Sequence, residues 1–259
     1  MAMDVKTQYL LRLADTCLIH SQRLSEWCGH APVLEEDLAL SNIALDLLGQ
    51  ARALLTYAGQ LEGAGRDEDQ LAFLREERDY RNIILVELPN AAASSSDDGG
   101  GGGGRDFALT TLRNAAVAIW LELLYERLQT SGDAELAGIA AKSLKEVRYH
   151  RQHSSDWVVR LGDGTDASRA RMRAALAVLW PYFNELFAAQ GVEGFGPAWS
   201  ELEADWRARW ATLMAESTLA LPRDSAMQPG GIDGVHSEHM GHLLATMQHL
   251  QRAYPGGVW

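Results

Sequence analysis

The sequence predicts an all-α protein, a long four-helix bundle with additional C-terminal helices. Three observations carry that reading. Apolar residues recur at alternating steps of three and four almost everywhere. Four of these segments are long, roughly 20 to 30 residues each, as bundle helices are and globin-like helices are not. No run of alternating apolar and polar residues stands between hairpin turn signals.

Taken in order, the first segment covers Tyr9 to Trp27 and ends near Gly29, before Pro32. The second runs from Glu35 to Leu61 on Leu40, Ile43, Leu47, Ala51, Leu54, Ala58 and Leu61. Asp67 to Leu88 is shorter and belongs to a crossover between helix pairs. Ala91 to Gly104 then reads AAASSSDDGGGGGG, a composition of high backbone entropy that predicts a flexible Ala/Ser/Asp/Gly-rich loop over 91–105. The loop is an insertion within one domain, 1–259, because neither flank alone supplies four long helices. The third segment carries Leu109, Leu112, Ala116, Ile119 and Leu123, and the fourth Ala140, Leu144, Val147, Ser154, Val158 and Leu161. Three further patterns follow: Met172 to Leu186, Trp199 to Leu213, and Met240 to Tyr254, the last ending at Pro255-Gly256-Gly257.

The 259 residues are 47% hydrophobic, enough for a sizeable core. A net charge of −12 disfavours nucleic acid and anionic membrane as general partners. No uninterrupted apolar run is long enough for a bilayer, and Met1 to Thr7 is polar, with no signal peptide visible. Cys17 and Cys28 would lie roughly 16 Å apart on one helix, too far for a disulfide. Both read as small apolar residues of a cytoplasmic protein.

The stretch Lys145-Glu146-Val147-Arg148-Tyr149-His150-Arg151-Gln152 looks like half of a metal site. A carboxylate-bridged di-iron centre needs Glu-x-x-His on two helices and one Glu on each of two others, because two hard cations require charge balance and bridging oxygens. Here the residue three before His150 is Val147, which binds no iron. The only acid three before a histidine is Asp233 of Asp233-x-x-His236, across Gly234. The second segment places Leu47 and Gln50 where a ligand pair should stand, the first offers Gln22, and the third offers Ala118. Glu146 shares a face with His150, yet one Glu and one His cannot hold two metals. His150 therefore reads as a hydrogen-bonded core histidine in a metal-free bundle.

Several stretches resemble the C subunits of bacterial ring-1,2-phenylacetyl-CoA epoxidase, a phenylacetate-degradation monooxygenase. They are Leu13 to Cys17, Gln22 to Pro32, Ile43 to Arg52, Lys145 to His150, Gly234 to His239 and Leu250-Gln251-Arg252. The glycine run and the shortened stretch after Phe187 depart from that family. The resemblance implies a ferritin-like fold and a homologous catalytic A subunit as partner. That partner carries di-iron, and its patterns Asp-Glu-x-Gly-His and Lys-Glu-Glu-x-Phe-His stand here as Asp46 to Gln50 and Lys145 to His150. The role implied for this chain is structural: no cofactor of its own, support of the catalytic partner, and help in shaping the phenylacetyl-CoA site. Electrons would come from a separate reductase.

Other clusters have two readings each. His236, His239, His242 and His249 fall near one side of the last segment and could ligate zinc or nickel, though such residues are more often solvated or at interfaces. Arg75-Glu76-Glu77-Arg78-Asp79-Tyr80-Arg81-Asn82 is a solvated face with local ion pairs, or a CoA contact in which Arg takes phosphate and Tyr stacks on adenine. The resemblance extends through Arg75, Glu77, Arg78 and Asn82, which makes Arg75, Arg78, Asp79, Tyr80, Arg81 and Asn82 the expected substrate contacts. Trp199, Trp206 and Trp210 share a face and could anchor a subunit interface. No nucleophile–base pair is visible, and the six glycines lack the Lys-Ser/Thr ending of a P-loop. The competing functions are an autonomous metal-binding protein or di-metal oxidase built on Glu146 and His150, and a homo-oligomeric ligand-binding protein.

Overall fold

A computed structural model describes residues 4–91, 104–188, 195–223, 225–226 and 230–257. Four long helices dominate: α1 (Val5–Ser25), α2 (Leu34–Glu62), α4 (Phe107–Leu128) and α5 (Ala134–Gly162). Short acidic caps start three of them. The Asp4, Asp106 and Asp133 carboxylates accept first-turn N–H groups that have no intrahelical acceptor. Helix α2 begins without such a bond but carries Glu35, Glu36 and Asp37 in its first turn, where the helix dipole favours negative charge. It ends at Gly63, whose φ of 66° is the left-handed conformation glycine adopts without strain.

Helix α1 packs along α2 and α4 along α5, and the two pairs face each other. Helix α4 is the central rod, buried along most of its length. Helix α6 (Asp166–Leu179) and α7 (Glu203–Glu216) close the far side of the α4–α5 pair. The fold is all-α, and among the described residues there is no strand, only an isolated bridge between Ala91 and Arg105. Residues 92–103, which hold the glycine run, lie outside the described residues.

Three expected continuous helices are interrupted. The pattern through Met172 and Leu186 is α-helical only to Leu179, and Trp180–Phe187, with Pro181, winds as a 3-10 segment. Trp199–Leu202 is likewise 3-10 before α7. The last segment divides into α8 (Glu238–Met247) and α9 (His249–Ala253) at Gln248. There the Gln248 amide reaches away to the Arg75 carbonyl (2.9 Å) and the Tyr80 hydroxyl (2.8 Å).

Trp199, Trp206 and Trp210 do not form a surface. All three are buried in this chain's own core. Trp206 and Trp210 stack at 5.1 Å, Phe183 meets both edge-on, and the Trp206 indole donates to the Ala116 carbonyl at 3.0 Å. They bind α7 to α4, and the interface expectation is corrected on that ground. Cys17 is buried as expected, but Cys28 is exposed in the turn after α1.

The crossover from α2 to α4 contains α3 (Glu68–Phe73) and two 3-10 turns, Glu77–Asp79 and Ile84–Val86. Such irregular backbone leaves N–H groups without helical partners, and buried carboxylates supply acceptors. Asp15 takes the Arg81 N–H at 2.8 Å and both terminal nitrogens of Arg75. Glu185 takes the Ile84 N–H at 2.6 Å together with those of Gly230 and Gly231. Glu87 takes the Asn82 amide at 2.9 Å and the Ser237 N–H and hydroxyl at 2.8 Å each. The C-terminal segment is thereby clasped to the crossover.

Candidate functional site

The interior between the four long helices holds two polar levels. At the first, each helix contributes one group. Gln50 of α2 donates from Nε2 to Glu146 Oε2 of α5 at 3.0 Å, and accepts at Oε1 from the Tyr125 hydroxyl of α4 at 3.1 Å. The Cys17 thiol of α1 lies 3.8 Å from that hydroxyl and 4.0 Å from the Gln50 oxygen. Burial pushes the thiol up to about 12 and the phenol well above its ordinary value, so both stay protonated and available as donors.

At the second level, His150 Nε2 of α5 lies 3.0 Å from Asp46 Oδ2 of α2, and His20 Nε2 of α1 lies 3.2 Å from Asn114 Oδ1 of α4. Burial, aided by the nearby Arg113 charge, drops the His20 pKa to about 3, which makes His20 a neutral imidazole. Along the chain, Leu47 stands between Asp46 and Gln50, and Val147 between Glu146 and His150. Ala118 shares the inward α4 face with Asn114 and Tyr125. Leu47, Ala118 and Val147 are all buried, so apolar side chains stand beside the polar groups on these three helices.

A di-iron centre is the group this frame would accept, and these residues do not fit it. Leu47, Ala118 and Val147 offer no donor. Gln50 brings a neutral amide, already engaged with Glu146, and His150 is bonded to Asp46 on another level. Among the described residues no three His, Cys, Asp or Glu side chains converge as a metal-binding group. Gln22 is only half-buried, two residues past His20; the α1 residues that reach the polar levels are Cys17 and His20. Sequence reasoning missed His20. Its signal was present, three residues after Cys17 and hence on the same inward face.

The α2–α5 seam carries two further polar ties. His153 Nε2 stands 2.9 Å from Glu36 Oε2, and the Tyr57 hydroxyl donates to Asp133 at 2.7 Å. Beside the seam, an open groove of about 250 Å³ is lined by Gly49, Ala53, Gly138, Lys142 and Glu146 and has Gln50 at its floor.

The charged run of the crossover divides by burial. Arg75, Tyr80 and Asn82 are inside. Arg75 spends its guanidinium on Asp15 and on the Leu71 and Asp79 carbonyls, and lies 4.3 Å over the Tyr80 ring. The Tyr80 hydroxyl donates to the Ala72 carbonyl at 2.6 Å. Of the six expected contacts only Arg78 and Asp79 are exposed, with Arg81 half-buried and donating to the Arg78 carbonyl at 2.6 Å.

The four C-terminal histidines do not gather. His236 precedes α8 with its side chain fully buried, Nδ1 2.5 Å from Glu87 and Nε2 3.1 Å from the Tyr80 carbonyl. The Tyr80 carbonyl can only accept, so Nε2 carries a hydrogen, and the Glu87 carboxylate at Nδ1 favours the imidazolium. Burial opposes that charge, but the hydrogen bond and the charge of Glu87 outweigh it and raise the pKa. His242 and His249 are exposed on α8 and α9.

Residues 2–259 match the family described as phenylacetic acid catabolic protein. The chain belongs to that family. Within it, the chain is 46% identical over 263 aligned positions to the C subunit of 1,2-phenylacetyl-CoA epoxidase from Escherichia coli strain K12. The alignment covers 99% of this chain and 100% of that relative. Membership accounts for the ferritin-like helical frame, and the resemblance in the helix sequences extends over the whole length.

Proposed function

We propose that this chain is a non-catalytic subunit of a multicomponent phenylacetyl-CoA ring 1,2-epoxidase. It supports a homologous subunit that carries the di-iron centre, and a separate reductase supplies electrons. The observation that carries this reading is the replacement of ligand types at every level where a di-iron centre would need them. Leu47, Ala118 and Val147 are buried and offer no donor, and Gln50 takes up the carboxylate of Glu146 with an amide instead of a cation. The four helices are then held by side-chain hydrogen bonds, each contributing on the order of 1 kcal/mol. The epoxidase relative, aligned end to end, supports the same assignment.

Metal analysis tests it. The purified chain is expected to hold no stoichiometric iron, while its complex with the di-iron-type subunit holds iron and oxidises the acyl-CoA. About two tightly held irons in this chain alone, the stoichiometry of the di-iron carboxylate class, would establish an autonomous metal oxidase and end the structural reading. A contribution to the CoA-thioester site falls to Arg78, Asp79 and Arg81, the expected contacts that reach the surface. Arg78→Ala should raise the KM of the complex for the acyl-CoA, and an unchanged KM removes that part of the proposal.

A further inference from the structure

The turn that carries Arg78 has little of its own to hold it. Glu77–Asp79 is a single 3-10 turn, too short to be stable alone. The carbonyls around it are served largely by the C-terminal segment 230–257. His236 Nε2 lies 3.1 Å from the Tyr80 carbonyl. Gln248 gives its Nε2 to the Arg75 carbonyl at 2.9 Å and to the Tyr80 hydroxyl at 2.8 Å. Arg252 donates from Nη2 to the same Arg75 carbonyl at 3.1 Å and to Glu76 at 3.2 Å, and from Nε to Gln248 Oε1 at 3.0 Å. Helix α9, which carries Arg252, has no buried residue. Its polar reach is spent on the crossover and not on the core.

On the other side of the turn, backbone meets backbone. Gly234 has a left-handed φ of 82°, and a Cβ there would run into the Arg78 carbonyl and the Arg81 guanidinium. Gly231 stands in the same way against the Asn82 carbonyl, with the Ile84 nitrogen 3.0 Å from where its Cβ would be. A Cβ at Gly241 of α8 would lie 3.0 Å from the Glu77 carboxylate. Glycine at these positions lets the segment press directly onto the crossover. The crossover's ion pairs join Arg75 to Asp15 and Glu76 to Arg252, and among the described residues Arg78 takes part in none. Its exposed guanidinium is left to face an anion.

We infer that the C-terminal segment is a strap that positions Arg78 for the phosphates of the acyl-CoA, with Gln248 and Arg252 as positioning residues. Gln248 and Arg252 fix the start of the turn at Arg75 and Glu76, His236 fixes its end at Tyr80, and Gly234 bears on Arg78 itself. A guanidinium on a turn pinned at both ends loses less freedom on meeting a phosphate than one on a free loop, and so binds more tightly. The inference rests on the reading of Arg78 as an acyl-CoA contact under Proposed function. It adds that the strength of that contact is set from the other end of the chain.

The experiment is steady-state kinetics of the assembled complex with phenylacetyl-CoA. Wild type is compared with Arg252→Met, Gln248→Met and Arg78→Ala, and with each of the first two combined with Arg78→Ala. Methionine keeps an unbranched side chain at either strap position while removing the donors. The expected result is a KM raised about fivefold in both strap variants, the equivalent of one hydrogen bond, with kcat unchanged. In the Arg78→Ala background either substitution should add less than about twofold, because the residue it acts through is gone. A raised KM in Arg78→Ala, with wild-type KM in both strap variants, would overturn the positioning role and leave the acyl-CoA reading intact. An unchanged KM in Arg78→Ala would remove the acyl-CoA reading, and the inference with it. A full effect retained on top of Arg78→Ala, or a lowered kcat in place of a raised KM, would mean a general loosening of the subunit and overturn the inference. Should Gln248→Met lower the urea midpoint, Arg252→Met decides, since its side chain is exposed and no part of the core.

Discussion

Asp15→Ala should be among the most destabilising single substitutions in this chain. The Asp15 and Arg75 side chains are 0% and 3% exposed, and the two are linked by both guanidinium ends. Asp15 also holds the Arg81 N–H at 2.8 Å. Its removal leaves a buried guanidinium with only the Leu71 and Asp79 carbonyls and the Tyr80 ring for compensation. Breaking one side of a buried pair costs roughly 3–5 kcal/mol, because the surviving charge is uncompensated. A domain of this kind has a total of about 5–15 kcal/mol, so a large share of its stability is at stake. Urea unfolding followed by tryptophan fluorescence reads the loss, since the tryptophans report the core directly. Combining Asp15→Ala with Arg75→Met should recover part of it, giving a double-mutant coupling of more than about 1 kcal/mol. If Asp15→Ala lowers stability by less than about 1 kcal/mol, or if Arg75→Met alone weakens acyl-CoA affinity in the complex with stability intact, the clasp account of this segment is wrong.

Three other outcomes follow from the same packing. The His236 pKa is raised in the folded chain, so its contribution is complete below the unfolded value near 6.5 and is lost as pH rises through the folded value. Urea midpoints should therefore fall as pH rises beyond the ordinary histidine value, and His236→Gln should flatten that fall; an identical pH profile in the variant would remove the imidazolium from the clasp. Trp206→Ala deletes the indole that stacks on Trp210 and bonds to Ala116, and should cost about 3–5 kcal/mol by thermal or chemical unfolding; a loss below about 1 kcal/mol would mean the aromatic cluster can collapse around the gap. Val147→Glu restores a ligand type at a fully buried position and should lower stability by several kcal/mol without bringing in iron; elemental analysis showing iron bound by that variant would mean the other donors converge more closely than the hydrogen bonds allow.

The long helices were legible because each has one buried stripe with a clear period, as in Leu40, Ile43, Leu47, Ala51 and Leu54 of α2. So were the inward positions of Leu47 and Val147, which fall on those stripes. What periodicity cannot carry is the partner of a polar residue far away in sequence. The charges around Arg75 read as a surface run, yet Asp15, 60 positions earlier, draws Arg75 inside. Trp199, Trp206 and Trp210 share a face, but nothing local says whether α4 or another subunit covers it. The break at Gln248 likewise has no local cause, because its side chain is recruited by Arg75 and Tyr80 across the chain. His20 could be placed only by its spacing from Cys17, because α1 is buried almost all round and burial singles out no one face.

The replacements in the bundle interior also explain one another. A di-metal site tolerates four carboxylates only because cations neutralise them, so without metal each remaining acid must be removed or given a donor. Leu47, Ala118 and Val147 bring no acid to the interior. Provision occurs at Glu146, which receives the Gln50 amide, and at Asp46, which faces His150 from the more solvated rim of the seam. At Gln50 one neighbour, the Glu146 carboxylate, needs a donor, and the other, the Tyr125 hydroxyl, needs an acceptor. An amide serves both at once. Gln50 therefore ties α2 to both α4 and α5 at this level, and the same side chain forms the floor of the groove on the α2–α5 face.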